Sequence, residues 1–353
     1  MRLRLRVPAT TANVGPGFDS LGLALSLFNR FTLEPAACTS VTGCEEKYRG
    51  ADNLFLQAMG HVSGLLGKPA PTLRLHIDAS IPVARGLGSS ATMIVGGAAA
   101  ALLLAEGWAG RSQGQNRGQG WEALSPEELD FIAEASAALE GHPDNVTPAV
   151  HGGFCVAVTQ AGQGQARILS SRCDVDPSWR FHALIPPFEL PTAKARAALP
   201  ALLPRADAVF NLGRAAIVAL AFEKRDPILL GAACEDRLHQ PYRKALIPGY
   251  DEVMAACREA RAAAVWLSGS GPTLIALTVA GGTPADGALA GRATAGAAQP
   301  SRALAGNALA VRCPEPDGFE RFMGPILAAR PEGAWRMETL TADPDGLSYA
   351  FEG

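Results

Sequence analysis

The sequence predicts an α+β protein of two domains, on three observations. Between residues 73 and 104 a half-buried strand pattern runs into a glycine turn and then a small, apolar stretch of helical composition. Around Ser268 to Thr273, in the other half of the chain, two strand-like runs flank a second glycine turn. The 353 residues, 48% hydrophobic and 18% charged, suffice for two cores of ordinary globular composition.

Taken in order, Met1-Arg2-Leu3-Arg4-Leu5-Arg6-Val7 alternates charged and apolar residues as a half-buried first strand does, without the unbroken apolar stretch of a secretory leader. Pro8 to Gly22 packs small, turn-forming and hydrogen-bonding residues together and reads as a shaped loop. Leu73, Leu75 and Ile77 then alternate with Arg74, His76 and Asp78 in a strand. From it, Pro82-Val83-Ala84-Arg85-Gly86-Leu87-Gly88-Ser89-Ser90-Ala91 leads into the helical run Met93 to Leu104. Glycines allow positive φ and close approach to a ligand, and free N–H groups at a helix start favour anions, so this loop reads as a phosphate cradle. It matches neither G-x-x-x-x-G-K-[ST] nor G-x-G-x-x-G. A helix merely capped by Ser89 or Ser90 is the alternative these residues leave open.

Gly107 to Gly120 is glycine- and glutamine-rich and aperiodic, which predicts a flexible surface insertion with no catalytic part. Ser125-Pro126-Glu127-Glu128 starts a helix expected to reach about Leu139. Gly141 to Val146 reads as a polar turn, Gly153 to Thr159 as a strand, and Gly162 to Gln165 as a boundary, giving domains at 1–165 and 166–353. Beyond it come a strand at Phe181 to Ile185, helices at Ala206 to Phe222 and Asp251 to Ala263, and strands at Val265 to Leu267 and Leu274 to Leu277. Gly281 to Gly296 is poorly specified by pattern.

Composition narrows the function. A net charge of -3 argues against a nucleic-acid binder. Seven scattered cysteines without a C-x-x-C pair read as free thiols in a reducing compartment. Ala98 to Ala105 is too short to span a bilayer, so a soluble cytoplasmic protein without a membrane partner is expected.

Three glycine- and hydroxyl-rich loops, near residues 8–22, 82–91 and 268–273, weaken the capping alternative. Their order and content resemble the galactokinase, homoserine kinase, mevalonate kinase and phosphomevalonate kinase superfamily. Within it the resemblance is closest to the homoserine kinases, through Pro8 to Asp19, His142-Pro143-Asp144-Asn145-Val146 and Leu246-Ile247-Pro248. It spans most of the chain and implies an N-terminal domain like domain 2 of ribosomal protein S5, a C-terminal ferredoxin-like domain, and ATP and Mg²⁺ between them. The implied reaction is phosphorylation of the side-chain hydroxyl of L-homoserine, and the implied assembly is a homodimer. A relative acting on mevalonate or a sugar, or a non-catalytic sensor of the same fold, remains as an alternative.

The resemblance also implies roles. Pro82, Arg85, Gly86, Leu87, Gly88, Ser89, Ser90 and Ala91 would wrap the ATP phosphates, and Ser90 with Glu134, ten residues before Asp144, would hold Mg²⁺. Glu134 reads equally as a solvated helix face. Asn53 would meet adenine, although a helix cap explains it nearly as well. Arg196 and Arg243 would clamp the homoserine carboxylate with Thr192 beside them, and Asn13 and Asp19 would hold the ammonium. Gly269 and Gly271 would border the substrate and Asn145 would orient its hydroxyl. Asp144 is the nearest candidate for a catalytic base, and equally a structural aspartate. Phosphoryl transfer depends chiefly on positioning and charge neutralisation, so a base is not obligatory.

Overall fold

The computed structural model describes residues 1–108, 120–160, 167–281 and 315–352. The expected insertion, the expected boundary and the Gly281 to Gly296 stretch fall almost wholly outside these residues.

Strand β1 (Arg2–Ala12) pairs antiparallel with β2 (Leu21–Pro35), its Leu3, Leu5 and Val7 buried as the alternation predicts. β3 (Ser40–Thr42), α1 (Leu54–Leu65), β4 (Leu73–Ala79) and α2 (Ser89–Leu103) follow. α2 is buried on nearly every side, which its small residues permit. α3 (Pro126–Glu140) begins with a complete capping box between Ser125 and Glu128, and Gly141 ends it in the left-handed conformation. The expected polar turn after it is instead the start of a second helix, α4 (Pro143–His151). Pro143 suits the first helical position, where its missing N–H costs nothing. β5 (Phe154–Gln160) and β6 (Arg167–Cys173) then form a hairpin on β2.

The second unit contains β7 (Trp179–Ile185), α5 (Thr192–Ala197), α6 (Arg205–Lys224), α7 (Pro227–Ala233), α8 (Gln240–Arg243), α9 (Tyr250–Glu259), β8 (Ala264–Leu267), β9 (Leu274–Val279), α10 (Pro316–Ala328) and β10 (Arg336–Leu340). Its antiparallel sheet has the order β10-β7-β9-β8. The final strand, β11 (Ser348–Glu352), returns to pair with β1. Among the described residues the first sheet therefore has seven strands, with β6 and the final strand β11 both in it.

The C-terminal sheet is covered on both faces. Leu184, Leu274 and Ala276 pack with Val253, Cys257, Phe319 and Met323 of α9 and α10. Phe181, Ile275 and Leu277 share the opposite core with α6 and with Leu23 and Phe154 of the first sheet. Phe154 stacks on Phe222 with ring centroids 3.9 Å apart, so the two units share one core where they meet. Each such large apolar side chain contributes about 1.5–3 kcal/mol on burial, which holds the loops between the units in fixed relation. No helix among the described residues is long and apolar enough to cross a membrane.

Candidate active site

The three loops converge on one cleft, hydrogen-bonded to one another. Thr10 N donates to Leu87 O at 3.2 Å, Gly269 N to Ala12 O at 3.1 Å and Thr273 N to Arg85 O at 3.3 Å. The Ser268 hydroxyl lies 2.9 Å from Thr11 Oγ1 and 2.5 Å from Gly86 O. Such closeness requires glycine at two positions. Gly88 has φ +70° and a Cβ there would stand 2.0 Å from Thr10 Oγ1, while Gly86 has φ +75° and would bring a Cβ to 2.4 Å from Ser268 O.

Gly88 is the residue before α2, and no side chain caps the helix. The first-turn amides are thus left by Ser89 and Ser90, contrary to the capping alternative, and the partial positive charge of the helix start faces the cleft. The Ser90 hydroxyl instead donates to Glu140 Oε2 at 2.8 Å. Burial raises the Glu140 pKa above the usual carboxylate range, against the opposing effect of the Ser90 hydrogen bond.

Beyond this pair, His142 Nδ1 lies 2.5 Å from Asp144 Oδ1. Burial alone would lower the His142 pKa, but the hydrogen bond and charge of Asp144, with Glu140, raise it overall. Asn145 Nδ2 donates to Asp144 at 3.3 Å, and the Thr10 hydroxyl donates to Asn145 Oδ1 at 2.7 Å, which fixes the amide. Asp19, His142 and Asp144 present one ligand atom each within 4.8 Å of one another, although each is already engaged by a neighbour.

Across the cleft Arg196 donates to both oxygens of Asp19, at 2.8 and 3.1 Å. Arg243 is 2% exposed, an unusual depth for a guanidinium. It donates to Gly269 O at 2.9 Å and to Ala195 O at 3.4 Å. Burial, then the nearby Arg196, lower its pKa to about 10, so it remains cationic at neutral pH. Both guanidinium groups lie over the Phe18 ring, 5.7 and 5.3 Å from its centroid.

Residues 53–153 match the GHMP kinases N terminal domain and residues 218–295 match the GHMP kinases C terminal region. The homoserine kinase of Moorella thermoacetica is 43% identical over 276 residues, covering 77% of this chain and 86% of that protein. That of Synechococcus sp. is 42% identical over 284 residues, covering 79% and 86%. The chain belongs to the homoserine kinases of the GHMP kinase family. A crystal structure of the homoserine kinase from Cytophaga hutchinsonii, 23% identical, has the same two-domain GHMP kinase fold, with a TM-score of 0.71 over 99% of this chain and 97% of that one.

GHMP kinases are ATP-dependent phosphotransferases, and most residues expected from the sequence do line one cleft here: Arg85, Gly86, Gly88, Ser89 and Ser90 on one wall, Asn13, Asp19, Thr192, Arg196, Arg243 and Gly269 on the other, with Asp144 and Asn145 at the base. Others do not reach it. Leu87 and Ala91 are buried in the cores beneath the loop, Pro82 precedes it, and Gly271 packs against Ile247 and Leu267. The Arg85 side chain donates to the carbonyls of Pro186 and Pro187, tying the loop to the second unit.

Two further expected residues stand away from the cleft. Glu134 accepts from the Ile168 amide of β6, away from the cleft. Glu140 meets Ser90 in its place, because the chain passes from α3 into α4 through only Gly141 and His142, so the carboxylate at the very end of α3 is the one aimed at α2. Asn53 caps α1, its carbonyl oxygen accepting from the Phe55 and Leu56 amides and its Nδ2 donating to Tyr48 O, and it does not line the cleft. Glu140, His142, Thr10 and Phe18 escaped the sequence reading. The Glu140-Gly141 pair ending α3 beside the His142 to Val146 motif was the available signal for the first.

Proposed function

We propose that this chain transfers the γ-phosphoryl group of ATP to the side-chain hydroxyl of L-homoserine, giving O-phospho-L-homoserine and ADP for threonine synthesis. One observation carries the reading: an uncapped helix start with a hydroxyl–carboxylate pair faces, across one cleft, a carboxylate and two guanidinium groups suited to a zwitterion. Phosphates would lie on the amides of the Gly86 to Ser90 loop. Ser90 and Glu140 would hold Mg²⁺, which neutralises phosphate charge when bound; one hydroxyl and one carboxylate suit an ion that keeps its waters and phosphate oxygens.

Asp19 would take the ammonium of homoserine, and Arg196 and Arg243 its carboxylate. The Asp19–Arg196 pair supports this division, since a zwitterion offers each partner the charge it already holds. Asn145, its amide fixed by Thr10, would orient the accepting hydroxyl. Asp144 is occupied by His142 and Asn145 and is given an orienting role. A homodimer in the cytoplasm completes the proposal; the apolar face that α6 exposes, with Val209, Leu212, Ile217 and Leu220, supports self-association. The test is ADP release with Mg-ATP and a panel of L-homoserine, mevalonate and galactose. Turnover with L-homoserine alone is expected, and turnover with mevalonate but not homoserine would overturn the assignment.

A further inference from the structure

His239, just before α8, is completely buried and sits between two substrate-binding elements without facing the cleft. Its Nε2 is 2.8 Å from Gly15 O of the first loop, and its Nδ1 is 3.3 Å from Arg243 Nη1. A carbonyl can only accept and a guanidinium can only donate, so this pair of contacts demands the neutral Nε2–H tautomer. Burial, the largest influence on this imidazole, also favours the neutral form.

Further contacts fix the ring and its backbone. Its face lies against Phe18, centroids 5.5 Å apart, and Phe18 is the ring beneath both guanidinium groups. Its backbone amide donates to Asp236, whose carboxylate also accepts from the amides of Leu238 and Gln240 and from Asn211 Nδ2. Asn211 Nδ2 in turn donates to Pro16 O. The imidazole is thus a rigid strut between the first loop, which bears Asn13 and Asp19, and Arg243. Arg243 spends Nη1 on His239 and Gly269 and Nε on Ala195; Nη2 carries none of these bonds.

We propose that His239 is a positioning residue for the acceptor. As the Nε2–H tautomer it fixes the Arg243 guanidinium relative to the first loop, and so sets the separation between the anionic and cationic poles that an α-amino acid must span. The proposal rests on the reading of Arg243 as a carboxylate ligand. A strut of this kind acts on binding of the zwitterion and leaves the phosphate wall alone.

The experiment is a double-mutant cycle on the full chain, with KM for L-homoserine, KM for ATP and kcat measured for R243A, H239A, H239N and H239A/R243A. H239A is expected to raise the homoserine KM about tenfold, as loss of a hydrogen bond to a charged group does, with the ATP KM and kcat nearly unchanged. H239N, which can still offer Arg243 an acceptor, recovers part of the loss and serves if H239A does not fold. In the R243A background H239A adds little, because the group it positions is gone. An unchanged homoserine KM in R243A overturns the underlying reading of the clamp. A raised KM in R243A with parent-like values in both His239 variants, or an equal rise from H239A with and without Arg243, overturns the strut alone.

Discussion

The two walls of the cleft are built from different materials. The phosphate wall is largely backbone: amides at the start of α2, brought there by glycines at positive φ that let the loop touch Thr10 and Ser268. The acceptor wall is largely side-chain charge, with Arg243 almost wholly enclosed and a partly exposed Arg196 paired to Asp19. Backbone amides on a helix recognise any polyphosphate, whereas guanidinium groups at a fixed spacing recognise one pattern of charges. A family that keeps ATP and changes its acceptor therefore has reason to keep the first wall and vary the second.

If the walls are separable, their variants separate kinetically. The largest effect is expected for Glu140→Gln, with kcat down by about 100- to 1,000-fold, the scale for losing one transition-state charge contact. Glu134→Gln should stay within a few-fold of the parent, and the reverse result would restore Glu134 to the metal site. Next, Arg196→Ala or Arg243→Ala should raise the homoserine KM by about 10- to 100-fold, with the ATP KM unchanged. A matching rise in the ATP KM would merge the walls. Thr10→Val should lower kcat about tenfold by freeing the Asn145 amide, and an unaltered kcat removes Asn145 from the orienting role. Gly88→Ala is expected to weaken ATP binding and to cost about 1–3 kcal/mol of stability, read by thermal melting, since the new Cβ meets Thr10.

The smallest effect on turnover belongs to His182, inside the C-terminal sheet between Thr278 and Thr339. Burial lowers its pKa to about 4, below the value near 6.5 of the unfolded chain. The unfolded state then binds more protons between these values, so this contribution is present above pH 6.5 and is lost as pH falls towards 4. The loss is at most about 3 kcal/mol. Denaturant midpoints across that window should show it, and His182→Gln should flatten the slope without altering kcat at neutral pH.

Legibility in the sequence follows the same division. The loop from Gly86 to Ser90 could be read because its function depends on local backbone freedom, which glycine spacing records directly. Arg196 and Arg243 were readable through their motifs, but the burial of Arg243 and the pairing of Arg196 with Asp19 were not, since Asp19 and Arg196 lie 177 residues apart. That Glu140 and not Glu134 meets Ser90 was hidden for a related reason. Spacing along a chain locates a carboxylate only when the intervening turn is known, and a turn of Gly141 and His142 moved the site to the end of α3. Similarly, β11 gives no local sign that it pairs with β1, and that pairing places the last strand in the first unit.

The sequence by itself determined the strand-loop-helix order, the three loops and the kinase class, because each is encoded in alternation, glycine placement or short motif. Only the tertiary structure decided which carboxylate meets Ser90, that Asn53 is a cap, and that His239 stands behind Arg243. Those outcomes depend on where separate elements are brought together by packing of the two units on a shared core, and no local pattern in the chain carries that information.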